Sequence, residues 1–187
     1  MKNIILFASG AGSNVKAIIE FFKDNQEVVP VAIVCNKPEA GVLKIAEAHN
    51  IPTILIDRNS FKSAEFVQQL QSFNPALLIL AGFLWKVPDA VVAAFPDRII
   101  NIHPALLPKY GGKGMYGAHV HQAVIDNKEK ESGITIHYVN EHYDEGNTII
   151  QAHCTIVESD TPESLAQKIH RLEHHFFPRT IDFLLKD

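Results

Sequence analysis

Apolar runs and amphipathic runs alternate through the first hundred residues. No other feature constrains the fold as much. "NIILFA" leads into the Gly-rich stretch "SGAGSN", and "VKAIIEFFKD" then spaces its apolar residues as a helix does. "VVPVAIVCN" and "IPTILID" predict a second and third strand, with a helix over "AGVLKIAEAHN" between them. Residues 61–73 predict another helix. "NPALLILAG" reads as a strand covered on both faces, "PDAVVAAF" as a short helix with Pro88 near its start, and "RIINIHP" as a fifth strand. Strands that alternate with helices predict an α/β chain with a doubly wound, mostly parallel, twisted sheet.

The pattern changes after residue 132. "SGITIHYVN" and "NTIIQAHCTIV" alternate like half-exposed strands and predict an antiparallel edge. "AHVHQAVIDN" reads as helical. In the last segment Thr161 is the expected N-cap, Pro162 takes the first helical position, and Pro178 is expected to bend or interrupt the helix. No repeat, linker or low-complexity tract divides the 187 residues, so one domain is expected over 1–187.

The formal net charge is −4, which argues against a general nucleic-acid partner, because phosphate backbones require a basic footprint. No apolar run is long enough to span a membrane, and the N-terminus lacks a signal-peptide layout, so a cytoplasmic location is expected. Cys35 and Cys154 are too few for a disulfide framework and read as small apolar residues. No metal-ligand spacing occurs, and no metal is expected.

Ligands of doubly wound sheets bind outside the carboxyl ends of the strands. Three stretches fall there: Gly10 to Asn14, Gly82 to Val87, and Asn101 to His103. In the first, two glycines and a helix start suit a phosphate. The third glycine of a dinucleotide fingerprint is missing, and there is no Gly-Lys-Ser/Thr, so a monophosphate fits better than a longer chain. A plain strand-to-helix turn capped by Ser13 is the equal alternative.

Asn101 and His103 stand two apart on a strand and so share a face. An amide N–H beside an imidazole can hold a developing oxyanion. Neither is a nucleophile, so the attacking group would come from a substrate. A carboxylate near His103 would hold its proton by raising the imidazole pKa. "HYDEGNTIIQ" offers Asp144, with Glu141 and Glu145 competing for the same role.

Taken together, "SGAGSN", "LAGFLWKVP", "NIHPALLPKY", "YDEGNTIIQ" and "LEHHFFP" resemble the phosphoribosylglycinamide formyltransferases, among the folate-dependent formyltransferases. The resemblance runs along essentially the whole chain. It implies a Rossmann-like formyltransferase fold, with a phosphate-binding half over about 1–100 and a catalytic, folate-binding half over about 80–187. It implies transfer of the formyl group of 10-formyltetrahydrofolate, a co-substrate, to the amine of glycinamide ribonucleotide in purine synthesis. The small-molecule substrates would be the partners, with the chain a monomer or homodimer.

The same resemblance implies roles. Asn101 and His103 would bind the formyl oxygen, His103 would donate a proton, and Asp144 would raise its pKa. Gly12, Ser13, Asn14, Val15 and Lys16 would hold glycinamide ribonucleotide, with Glu173 also in contact. Leu84, Trp85, Lys86 and Val87, with Asn101, would line the folate pocket. Many relatives carry Arg where Trp85 stands. Arg58 and Lys62 are both candidates for a basic residue contacting folate.

The stretch "YGGKGMYGAHVHQA" is longer than its counterpart in bacterial relatives. It leaves His119 and His121 without an assigned role, and Lys109 and Lys113 read equally as a basic flap or a solvated loop. His137 reads as a core histidine or a support behind the site. Two other readings compete with the transferase: a formyltetrahydrofolate hydrolase, and a non-catalytic nucleotide-binding module of the same fold.

Overall fold

The computed structural model describes residues 1–186. The predicted alternation builds a seven-stranded sheet in the order β3-β2-β1-β4-β5-β6-β7. Strands β1 (Lys2–Ala8), β2 (Val28–Cys35), β3 (Thr53–Leu55), β4 (Pro75–Leu80) and β5 (Ile99–His103) run parallel. β6 (Glu131–Tyr138) and β7 (Thr148–Thr155) complete the sheet as an antiparallel edge. The chain leaves β1 towards β2 and β3, then returns to β4 on the other side of β1. The loops after β1 and β4 therefore diverge and leave a crevice, the usual ligand position in such sheets.

Alternation along β1 explains the layers. Ile4, Leu6 and Ala8 enter one core, while Ile5 and Phe7 enter the other. The first core is covered by α1 (Ser13–Phe22), α2 (Val42–Ala48), α5 (Ala118–Asp126) and α6 (Pro162–Leu184). The second is covered by α3 (Ala64–Ser72) and α4 (Asp89–Ala94). On α6 a buried stripe recurs every fourth residue: Leu165, Ile169, Phe177 and Ile181 are each fully buried. Each such side chain contributes roughly 1.5–3 kcal/mol. Glu173 occupies the missing step of that stripe.

Three expectations need correction. The helix foreseen over 61–73 is a short 3-10 turn, Ser60–Lys62, followed by α3 from Ala64. Ser63 breaks the run, because its hydroxyl accepts the Phe66 N–H and caps α3. β6 is not half exposed: Ser132 through His137 are buried. α6 packs on one of its faces, and the turn after β5 covers the other, with Thr135 Oγ1 accepting the Leu107 N–H and donating to Ala105 O. Of the bend or interruption expected at Pro178, the interruption does not occur: α6 runs on to Leu184. Pro178 and Phe177 are buried against the core, and Thr180 hydroxyl donates to Phe176 O across the same turn. At the other end the expected cap is present: Thr161 and Ser164 form a reciprocal capping box, with Pro162 at the helix start.

Candidate functional site

A cleft of about 650 Å³ opens at the carboxyl ends of β1, β4 and β5. Its first wall is the start of α1. Gly12 adopts φ 81°, and a Cβ there would meet Val42 and Ile45 side chains at 2.8–2.9 Å, so only glycine fits without displacement. No side chain caps α1, and Ser13 is not its N-cap. The N–H groups of Ser13, Asn14 and Val15 therefore have no intrahelical acceptor, while Lys16 N–H is already bonded to Gly12 O at 2.8 Å. Gly12, Ser13 and Asn14 line the cleft. Val15 is fully buried in the core and Lys16 is exposed outside the lining, so neither side chain faces the cleft.

Glu173 faces Asn14 across this wall. Asn14 Nδ2 donates to Glu173 Oε2 at 3.0 Å, with both residues buried. Burial pushes the Glu173 carboxyl up to about 7, against the Asn14 bond, which favours the charged form. Glu173 is therefore not a solvated helix residue but part of the buried wall beside Asn14. Its place in the fourfold stripe of α6 was the available signal.

The second wall is the loop after β4. Leu84, Trp85, Lys86 and Val87 all line the cleft. Ser9, at the end of β1, ties the two loops together. Its N–H donates to Gly82 O at 3.0 Å, and its hydroxyl accepts the Leu84 N–H at 2.9 Å. Trp85 rests on Phe61 and Phe83, with ring centroids 5.8 and 6.3 Å away. The Arg58 guanidinium lies over the Trp85 ring, 4.2 Å from its centroid. Lys86 pairs with Asp89 at 3.2 Å.

The floor carries the polar cluster. Ile100 and Ile102 enter one core and Ile99 the other, so Asn101 and His103 share a face as their spacing required. Antiparallel register places His137 opposite Asn101 and Thr135 opposite His103. Asn101 Nδ2 lies 3.1 Å from His137 Nε2, and His137 Nδ1 lies 2.8 Å from Tyr138 O. A carbonyl only accepts, so Nδ1 donates to Tyr138 O, while Nε2 stands between the Asn101 amide and the Asp144 carboxylate. His137 thus orients Asn101 from behind.

Asp144, with φ 55°, stands between the two imidazoles. Its carboxylate is 3.6 Å from His103 Nδ1 and 3.6 Å from His137 Nε2, and it accepts the Gly112 N–H at 2.8 Å. Burial raises its pKa, but His137, His103 and Gly112 outweigh burial and hold it below the usual carboxylate range. Glu141 and Glu145 do not line the cleft; Asp144 does.

The expected direction at His103 is corrected here. Burial pulls its imidazole below the ordinary value of 6.5, and outweighs the upward push of Asp144 and of the Tyr110 carbonyl. His121, left open by the sequence, is buried on α5 and lines the cleft, and burial with His170 nearby lowers it to about 4. His119 is exposed, its ring edge-on to Tyr116 at 5.7 Å. Sequence reasoning also missed Ser9, Lys37 and His170, which join the lining. Among the described residues, no group of three His, Cys, Asp or Glu is arranged to hold a metal ion.

An uncapped helix start and an amide–imidazole–carboxylate cluster on one doubly wound sheet define a class. The chain belongs to the formyl transferase family, whose sequence profile matches residues 2–181. A phosphoribosylglycinamide formyltransferase of Bacillus subtilis is 39% identical over 191 residues, covering 99% of this chain and 95% of that protein. The chloroplastic phosphoribosylglycinamide formyltransferase of Arabidopsis thaliana is 37% identical over 195 residues, covering all of this chain. The chain spans 66% of the length of that plant protein. The crystal structure of phosphoribosylglycinamide formyltransferase from Bacillus halodurans superposes with a TM-score of 0.90 at 36% identity, covering 98% of this chain and 95% of that one.

Proposed function

We infer that the chain transfers the formyl group of 10-formyltetrahydrofolate to the amine of glycinamide ribonucleotide, as a single formyltransferase domain acting in the cytoplasm as a monomer or homodimer. One observation carries the reading. The uncapped start of α1 and the Asn101–His103–Asp144 cluster open onto the same cleft. A phosphorylated amine anchored at Gly12 to Asn14 would reach a formyl group held against Leu84 to Val87.

The attacking amine bonds to the formyl carbon, and the carbonyl π electrons move to oxygen. Asn101 offers that oxygen an amide N–H, held in place by His137. His103, neutral at rest, takes the amine proton at Nδ1, where Asp144 stabilises the charge. The imidazolium then lies beside the oxyanion and passes the proton to the folate nitrogen as the old C–N bond breaks. Products are formylated ribonucleotide and tetrahydrofolate, with atoms and charge balanced. Val15 and Lys16 contribute through backbone position only, and Glu173 through Asn14.

The test is an absorbance assay with 10-formyltetrahydrofolate, run with and without glycinamide ribonucleotide. Loss of the formyl group only in the presence of the amine supports the transferase. Equal loss without it identifies a hydrolase, and no loss in either arm identifies a binding module.

A further inference from the structure

Tyr110 follows the proline turn after β5, and its carbonyl is the partner of His103 noted above. Its φ is +58°, a conformation that an aromatic residue adopts only when its surroundings hold it. Two contacts do so. Its hydroxyl donates to Glu129 Oε1 at 2.9 Å, and Lys109 Nζ meets the same oxygen at 3.0 Å. Glu129 is half-buried between α5 and β6, and both donors hold its carboxyl below the usual range, so it stays ionised. The result is that Tyr110 C=O is turned onto His103 Nε2 at 2.7 Å.

We propose that Tyr110, anchored by Glu129, is a positioning residue that fixes the His103 tautomer and gives its imidazolium a hydrogen-bond acceptor. The proposal rests on the transferase reading for its rate effect, but not for its structural content. The carbonyl can only accept, so Nε2 carries the proton and the Nδ1 lone pair faces Asp144. Nδ1 is thus the atom left to receive a proton, and the imidazolium finds an acceptor on each side. The groups facing His103 are Asp144 from the turn before β7, His137 from β6, and this carbonyl. The Glu129 charge is balanced by Lys109.

Tyr110→Phe removes the anchor without changing any charge, and Glu129→Leu removes it from the other side by taking away the acceptor. In the ligand-free protein, nitrogen NMR of His103 is expected to report an Nε2–H tautomer in the wild type. Each variant is expected to lower the His103 pKa by roughly 0.5–1 pH units, as loss of one such hydrogen bond implies. In turnover, kcat is expected to fall roughly threefold to tenfold, with KM for both substrates nearly unchanged and the acid limb of the kcat profile moved to lower pH. An unchanged His103 titration in both variants overturns the proposal, as does a raised KM with kcat intact. The NMR arm uses no substrate, so its outcome stands whether or not the transferase reading holds.

Discussion

Asn14 at the start of α1 and Glu173 in the middle of α6 are 159 residues apart in sequence and share a buried hydrogen bond of 3.0 Å. That bond places an ionisable group of pKa about 7 in the wall where a phosphorylated substrate is proposed to bind. The folded pKa lies above the unfolded value of 4.5, so the native state holds the proton more tightly. Its contribution is fully present below pH 4.5 and is lost as pH rises through 7. The amount at stake is on the order of 3 kcal/mol. Glu173→Gln is therefore expected to narrow the fall in stability between about pH 5 and pH 8, measured by urea unfolding at both. A wild-type protein equally stable at both pH values, once other groups are matched by the variant, contradicts the assignment.

Asn101→Ala, His103→Ala and Asp144→Asn are each expected to lower kcat by roughly 10²–10³, the value of one preorganised donor in such a site. Asparagine tolerates the left-handed backbone of residue 144, so the last variant keeps the turn. Because His103 must be neutral to accept the amine proton, kcat/KM should decline only below the ordinary imidazole value of 6.5. Near-normal turnover in the His103 variant rejects the mechanism.

Gly12→Ala would place a methyl group against Val42 and Ile45 and force a left-handed alanine. A loss of about 1–3 kcal/mol in stability is expected. Affinity for glycinamide ribonucleotide, read by calorimetry, should fall with it. Ser13→Ala touches no core contact and should weaken the ribonucleotide while leaving Tm in place; unchanged affinity in both variants argues against a phosphate at α1.

Trp85 is the sole tryptophan and forms part of the proposed folate wall. A folate analogue lacking the formyl group should quench its emission, with a midpoint equal to the Kd. Removing the stacked cation by Arg58→Ala should shift the emission before any ligand is added. Emission unmoved by saturating folate would place that ligand elsewhere.

The sheet was legible because β1 to β5 obey simple periodicities, and Asn101 with His103 share a face by spacing alone. What escaped was set by distant partners. Nothing in "SGITIHYVN" announces that the turn after β5 would cover its second face through Thr135. The tie from Ser9 to Leu84 depends on β1 lying beside β4, and tyrosine gives no local sign of the backbone that Tyr110 adopts. The sign of the His103 shift also lay beyond the sequence, because Asp144 could be guessed but the depth of burial could not.

The stripe of α6 has a consequence for how the molecule comes into being. During synthesis the ribosome delivers Asn14 early and Glu173 late, and α6 is the last helix described. Until it docks, α1 is uncovered on the side where α6 packs, and Asn14 lacks its Glu173 partner. The wall around Asn14 is thus closed by a contact of very long sequence separation, one that forms only when α1 and α6 have both docked.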